Sequence, residues 1–124
     1  MRGGLLLSEA PDFFDQVREA LLGIGAIVSE AGDDVVLDGD STSRALLYAL
    51  EDDSWRSPEP VWPGEAPRPD VRRVAAVMVE SRSEARVVEL SRAVAASVDH
   101  PVWFLDAADV AWPAAVIDAR RLRL

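Results

Sequence analysis

Five of the eight prolines of this chain lie close together, at positions 58, 60, 63, 67 and 69. Proline has no backbone N–H to donate and fixes its own φ angle, so a segment this rich in proline forms neither a helix nor a central strand. We therefore predict an extended connector over residues 54–70. The secondary structure then has to come from two stretches, residues 4–52 and 71–121.

The first stretch, residues 4–52, has the pattern of a strand, a helix, a hairpin and a second helix. An apolar strand is expected at Gly4–Ser8, and helical spacing follows at Phe14, Val17, Leu21 and Ile24. Two short apolar runs on either side of Gly32-Asp33 predict the hairpin. Ser41 is a good N-cap for the second helix, which is expected to run through Leu46, Leu47 and Leu50.

The second stretch, residues 71–121, contains the strongest strand pattern of the chain. Val74–Val79 is almost entirely apolar, which is typical of a central strand buried on both faces. A helix is expected after Ser81 or Ser83, with an apolar stripe at Val87, Leu90, Val94 and Val98. A second hairpin follows at residues 101–112, and Pro113 then begins a short helix or turn.

The similar order of elements in the two stretches has two interpretations. One is an internal duplication of a β-α-β-β-α unit, and the other is an ordinary α+β domain. In both cases we predict one α+β domain over residues 1–124, with a mixed or antiparallel sheet and helices mainly on one face. A chain of 124 residues is long enough to bury a core of its own.

Composition excludes several kinds of chemistry. The chain has no cysteine, so disulfides and thiolate sites are excluded, and its single histidine cannot make a zinc site of the usual kinds. We expect no metal, no cofactor and no enzymatic activity. Leu5–Leu7 is too short for the apolar region of a signal peptide, so we expect no membrane association and a cytoplasmic location.

The charge is distributed unevenly along the chain. Residues 1–70 carry 15 carboxylates and 5 arginines, whereas residues 71–124 carry 7 carboxylates and 8 arginines. Clustered carboxylates repel phosphate, so nucleic-acid binding is disfavoured. A basic protein surface or a cationic ligand is electrostatically favoured as the partner.

The segment Asp38-Gly39-Asp40-Ser41-Thr42 resembles the Asp-x-Asp-x-Thr signature of haloacid-dehalogenase phosphatases. The resemblance implies a nucleophilic Asp38, but it covers five residues, and the chain is too short for the core that those enzymes need. We interpret the segment instead as a helix N-terminus, with Asp38 and Asp40 favoured by the helix dipole.

Glu51-Asp52-Asp53 would lie at the C-terminal end of the predicted second helix. The helix dipole disfavours carboxylates there, which makes them a candidate partner-binding group. Together with Asp38 and Asp40, they are the residues that we expect to contact a basic protein.

The four tryptophans are the second candidate group. Trp55 and Trp62 lie in the connector, and Trp103 and Trp112 lie in the second hairpin. If Ala107-Ala108 form a two-residue turn, Trp103 is opposite Trp112 and the two rings form an aromatic surface on one sheet face. The alternative is that the rings pack in the core.

These observations lead to two functional expectations. The first is a non-enzymatic acidic protein that binds a basic protein partner, as small inhibitors or immunity-type proteins do. The second rests on the order of elements, which looks like that of the GyrI-like ligand-binding domains. That resemblance implies a small apolar or cationic ligand between the two halves, and aromatic rings beside carboxylates suit such a cation.

Overall fold

The computed structural model describes residues 3–38, 43–64 and 67–124. Within these residues the chain forms two helices and one seven-stranded sheet. The strands are β1 (Gly3–Ser8), β2 (Ile27–Val28), β3 (Asp34–Leu37), β4 (Ala45–Leu50), β5 (Ala75–Ser81), β6 (Val102–Leu105) and β7 (Ala111–Pro113). The helices are α1 (Phe13–Leu22) and α2 (Glu84–Ser97), and short 3-10 turns lie at Ser54–Arg56 and Ala114–Val116.

All neighbouring strands of the sheet are antiparallel, in the spatial order β2-β3-β4-β5-β1-β6-β7. The predicted α+β class is therefore confirmed. The elements β1-α1-β4 and β5-α2-β6 together have the split β-α-β arrangement of ferredoxin-like domains, with spatial order β4-β5-β1-β6. The β2–β3 hairpin is inserted between α1 and β4, and β7 extends the opposite edge.

β5 is the central strand of the seven, between β4 and β1. This confirms the prediction made from the apolar run around Val77, which is only 1% exposed. Gly4 of β1 is opposite Val79 of β5, and there is no room for a side chain at this position. A Cβ at Gly4 would collide with the Leu105 carbonyl oxygen and come within 2.6 Å of the Phe104 ring, so a larger residue would have to displace the β6 backbone and that ring.

Both helices pack on the same face of the sheet. Their apolar stripes join the strands in one buried cluster whose helical members are Phe13, Val17, Leu21, Val87, Leu90 and Val94. The predicted stripe of α2 is confirmed, whereas in α1 the buried ring is Phe13 and Phe14 is only half-buried. Ile24, also predicted for that stripe, lies beyond the end of α1 and is exposed. Ser83 is the N-cap of α2, because its side chain accepts a hydrogen bond from the Arg86 N–H. α1 ends at Leu22, where Gly25 adopts a φ of +97° and the Ala26 N–H donates to the Leu21 carbonyl.

The predicted second helix is wrong. Residues 45–50 form strand β4, hydrogen-bonded to β3 on one side and β5 on the other. The six residues Ala-Leu-Leu-Tyr-Ala-Leu contain no charged side chain, so their apolar spacing does not separate a strand from a helix, and the two neighbouring strands decide. The proposed N-cap, Ser41, lies outside the described residues. An internal duplication is not confirmed.

The connector crosses the face of the sheet that has no helix. Its first part leaves β4 near Trp55, and Val61 then reaches the β7 edge, where it forms a parallel bridge with Val110. The Val61 N–H donates to the Asp109 carbonyl, and the Ala111 N–H donates to the Val61 carbonyl, both at 2.8 Å. The chain returns to the centre of the sheet at β5. The prolines therefore form a partial second cover, without a helix or a long strand.

No helix of the described residues is long and apolar enough to cross a membrane.

Candidate functional site

A pocket of about 470 Å³ lies on the helix-free face, between the sheet and the first part of the connector. We call it the sheet pocket. Both halves of the chain and the connector contribute to its lining: Gly3, Gly4, Leu5, Leu50, Asp52, Ser54, Trp55, Met78, Glu80, Leu105, Asp106 and Asp109.

The floor of the sheet pocket is a row of apolar residues on neighbouring strands. Leu5 of β1 is directly opposite Met78 of β5 on one side and Leu105 of β6 on the other. Residues opposite each other in an antiparallel sheet point to the same face, so the three side chains lie next to one another. Leu5 and Leu105 are buried and Met78 is half-buried. Trp55 of the connector packs against the same apolar cluster and contributes aromatic surface to the lining.

The charged residues of the lining are all carboxylates, and no arginine lines the pocket among the described residues. Asp52 Oδ1 accepts the Ser54 N–H at 2.9 Å, and hydrogen bonds from Ser54 hold the pKa of Asp52 below its ordinary value. Asp52 therefore stays ionised to lower pH than an ordinary aspartate. Arg56 of the connector lies over the Trp55 ring at 4.9 Å and donates to the carbonyls of Val71 and Val74.

Glu80 links the pocket to the only tyrosine of the chain. The Tyr48 hydroxyl donates to Glu80 Oε1 at 2.8 Å. This hydrogen bond raises the pKa of Tyr48, with smaller contributions from burial and from the negative charges of Glu80 and Asp34. The pKa of Tyr48 therefore depends on the charge at this end of the pocket, and its titration can be used to follow that charge.

Asp106 has a structural role at the rim. Its carboxylate is 4% exposed and accepts four N–H groups: those of Ala108 and Val110 on Oδ1, and those of Arg123 and the Trp112 indole on Oδ2. The four donor–acceptor distances lie between 2.8 and 3.3 Å. One carboxylate thus holds the β6–β7 turn, a tryptophan and the C-terminal segment together.

The predicted acidic group is divided by the structure. Asp38 lies beyond β3 at one end of the β3–β4 pair, whereas Glu51, Asp52 and Asp53 follow β4 at the other end. Asp40 lies outside the described residues. The argument from the helix dipole fails, because Glu51-Asp52-Asp53 follow a strand. Of these residues only Asp52 lines the sheet pocket, while Asp53 pairs with Arg56 at 3.4 Å.

The four tryptophans lie in different places, and of the four only Trp55 lines the pocket. Trp62 contacts Trp103 edge to face, with ring centroids 5.5 Å apart, on the helix-free side of the sheet. Trp112 packs against the helix-side cluster. Trp103 and Trp112 are on opposite faces because Trp103 is opposite Pro113, and Trp112 is opposite Phe104. The predicted aromatic surface across the hairpin is therefore wrong.

A turn one residue longer than predicted causes this change of register. The Asp106 N–H donates to the Val110 carbonyl, which leaves Ala107, Ala108 and Asp109 in the loop. Asp109 has a φ of +61°, in the left-handed region that aspartate tolerates better than most residues. Three-residue hairpin loops typically end with such a residue.

The sequence did not reveal the apolar floor, nor Glu80, Asp106 and Asp109 as residues of a site. The alternation along β1 and β5 places Leu5 and Met78 on one sheet face, but it does not show that this face lacks helices. Among the described residues, no group of three or more His, Asp or Glu side chains is placed to hold a metal ion. Comparisons with known protein families, with characterised proteins and with solved structures give no match for this chain.

Proposed function

We propose that this chain is a binding domain for a small molecule that combines an apolar body with a cationic group, and that the ligand occupies the sheet pocket. The observation that supports this proposal is the combination of an apolar floor with a charged lining made only of carboxylates. The pocket volume, about 470 Å³, lies within the range of roughly 300–1,000 Å³ that is usual for small-molecule sites.

The apolar body would rest on Leu5, Met78 and Leu105 beside the Trp55 ring. Burial of this surface supplies affinity that does not depend on charge. The cationic group would lie toward Asp52, Glu80 and Asp109. Asp106 is not available for the cation, because its oxygens already accept four N–H groups. Three carboxylates would therefore select for a cationic group, and the apolar floor would select for the shape of the ligand's apolar body.

Three probes with one phenyl ring and different charges test the proposal: benzyltrimethylammonium, benzyl alcohol and benzoate. Binding is followed by NMR through the Trp55 indole N–H and the backbone amides of Leu5 and Leu105. We expect the ammonium to shift these signals in a saturable way, benzyl alcohol to do so more weakly, and benzoate to leave them unchanged. Equal shifts from all three probes, or shifts outside the pocket, would contradict the proposal.

The carboxylates are tested by neutral substitution. Asp52→Asn and Asp109→Asn should each weaken ammonium binding by about two- to fivefold, since each removes one solvent-exposed charge interaction. Asp99→Asn is the matched control, because Asp99 is exposed at the end of α2 and does not line the pocket. A loss of affinity in the control of the same size as in Asp52→Asn would indicate a general effect of net charge.

Tyr48 gives an independent measurement. It is the only tyrosine, so the ultraviolet absorbance of its phenolate reports its titration alone. A cation bound near Glu80 should offset the negative charge that raises the pKa of Tyr48 and move that pKa toward its ordinary value. Benzyl alcohol should not have this effect. If the ammonium binds without moving the titration, the cation does not lie near Glu80.

A basic protein partner, the first functional expectation, is a separate proposal. That expectation named Asp38, Asp40 and Glu51-Asp52-Asp53 as the contact residues, and it stays a prediction.

A further inference from the structure

The two edges of the sheet differ in how they are protected. The β7 edge is covered by the connector, where Val61 bridges to Val110 and exchanges two backbone hydrogen bonds with Asp109 and Ala111. The opposite edge ends at β2, which has only β3 beside it. Uncovered edge strands offer unpaired backbone groups to other chains, and proteins usually cover or charge them.

The register of β2 shows which backbone groups point outward. The Ser29 N–H donates to the Asp34 carbonyl at 3.0 Å, so positions 29 and 34 form a hydrogen-bonded pair. Such pairs alternate along an antiparallel ladder. Val28, opposite Val35, is therefore in the other kind of pair, and its N–H and C=O point away from β3.

Exposed apolar side chains concentrate beside this edge. Of the five large hydrophobic residues that are exposed within the described chain, Leu22, Ile24 and Ile27 lie in the α1–β2 segment. Ile27 is opposite the half-buried Val36, and Val36 is opposite the half-buried Leu46, so the apolar row continues onto the helix-free face. We call Ile27, Val36 and Leu46 the β2 edge surface.

The charges around this surface are mostly negative. Residues 19–38 contain no arginine, and their carboxylates are all exposed: Glu19, Glu30, Asp33, Asp34 and Asp38. Three cations lie near it. Arg18 is paired with Asp15 at 3.0 Å and donates to the Gly32 carbonyl, Arg86 donates to the Asp38 carbonyl, and Arg44 is exposed just before β4. Two copies of this chain pairing through β2 would bring ten carboxylates together, which disfavours a second copy as the occupant.

We infer that the β2 edge surface binds an extended, basic segment of a partner protein, which pairs with the outward backbone groups of Val28. Alternate side chains of the added strand would contact Ile27 and its apolar neighbours, while its lysines and arginines would face the surrounding carboxylates. This is strand addition to a sheet edge, in which backbone hydrogen bonds supply affinity and side chains supply specificity. It goes beyond the small-molecule site, because it involves none of the residues that line the sheet pocket.

The probe is a synthetic peptide, acetyl-Lys-Val-Arg-Ile-Lys-Val-Arg-amide, with two companions. One has glutamate in place of every lysine and arginine, and the other has serine in place of every valine and isoleucine. We expect only the first peptide to shift the amide signals of Ile27 and Val28 in a saturable way, to slow hydrogen exchange at the Val28 amide, and to bind more weakly as salt is raised. Equal binding of the glutamate peptide, or shifts confined to the sheet pocket, would overturn the inference.

Matched substitutions at the two edges distinguish binding at this surface from nonspecific adsorption of the peptide. Ile27 and Val61 are each 59% exposed, on opposite edges of the sheet. Ile27→Lys should weaken peptide binding at least tenfold, and Val61→Lys should change it by less than twofold. Val28→Pro removes the outward N–H without removing a hydrogen bond to β3, and it should also weaken binding at least tenfold. If the peptide binds the Ile27→Lys and Val28→Pro variants as tightly as it binds the unmodified chain, the inference is wrong.

The oligomeric state of the unmodified chain is the last test. Sedimentation at increasing protein concentration should give a single mass of one chain. A dimer that dissociates in the Ile27→Lys variant would assign the β2 edge surface to a second copy and overturn the basic-partner assignment.

Discussion

The two faces of the sheet are covered in different ways. On the helix face, two regular apolar stripes pack against the strands, and the largest side chains there, such as Phe13 and Phe104, are at most 2% exposed. On the helix-free face, the proline-rich connector covers part of the surface with Trp55 and Trp62, which are only half-buried. A helix presents an apolar row every turn, whereas an extended proline-rich segment presents isolated side chains.

This difference indicates that the two faces have different roles, the helix face in stability and the helix-free face in binding. The closed helix face supplies most of the buried apolar contacts, so a change there should affect folding first. The connector leaves the sheet pocket open on the other face, and a change there should affect binding before it affects folding. Five substitutions test this division in four experiments, beginning with the largest expected effect.

Val77→Asp should unfold the protein. Val77 is 1% exposed on the central strand, and its substitution would bury an unpaired charge in the helix-side core, a cost of several kcal/mol. Thermal unfolding followed by circular dichroism would show the loss of the cooperative transition. Ala75→Asp is the control, because Ala75 is exposed on the same strand and should keep the transition. A stable Val77→Asp variant would mean that β5 is not central.

Phe104→Ala and Trp103→Ala compare the two faces directly, because these neighbours on β6 point to opposite sides. Phe104 is 0% exposed and Trp103 is 9% exposed. Phe104→Ala should reduce the free energy of unfolding by about 3–5 kcal/mol, the range for large-to-small changes in a core. Trp103→Ala should cost less, about 3 kcal/mol at the lower end of this range, because the connector can move into the vacated space. Urea titration measures both, and a larger loss for Trp103 would reverse the comparison.

Asp106→Ala should destabilise the protein by roughly 2–3 kcal/mol. It leaves four N–H groups without their acceptor, among them those of Trp112 in β7 and Arg123 in the C-terminal segment. The chain end should exchange its amides faster than before. Asp109→Asn is the control, since asparagine tolerates the left-handed conformation at that position. No difference in stability between the two variants would contradict the role assigned to Asp106.

Glu80→Gln should have the smallest effect on stability, below about 1 kcal/mol for one exchanged hydrogen bond at a partly exposed site. It should lower the pKa of Tyr48 toward its ordinary value, because the main cause of the raised pKa is the hydrogen bond to Glu80. In the native protein, a tyrosine with a raised pKa in the folded state stabilises the fold below its unfolded pKa, near 10, and this contribution is lost as pH rises through the folded pKa. Alkaline unfolding should therefore differ less from neutral unfolding in Glu80→Gln. An unchanged Tyr48 titration would contradict the assignment.

Local patterns predicted the parts of the fold that local chemistry decides. The apolar spacing of Val87, Leu90 and Val94 and the capping serine at position 83 identify α2, and the all-apolar run around Val77 identifies the central strand. The segment at residues 45–50 was mispredicted because its apolar residues fit both periods, and only the neighbouring strands β3 and β5 fix it as a strand.

The candidate site was harder to predict for a different reason. Its floor depends on which sheet face the connector crosses, and no property of Leu5, Met78 or Leu105 alone reveals this. The hairpin register depended on a single residue, Asp109, whose positive φ adds one residue to the loop and moves Trp112 to the other face. One residue of register is enough to change every side chain's face in a strand.

The placement of β1 at the centre of the sheet has a consequence for biosynthesis. β1 is made first, but its partners are β5, which begins at Ala75, and β6, which begins at Val102. At a synthesis rate of roughly 5–20 residues per second, Leu5, Leu6 and Leu7 remain without their strand partners for several seconds on the ribosome. The β2–β3–β4 meander can pair as soon as it leaves the ribosome, so its strands pair before β1 does. β1 is therefore the strand of this sheet that remains longest without its partners during synthesis.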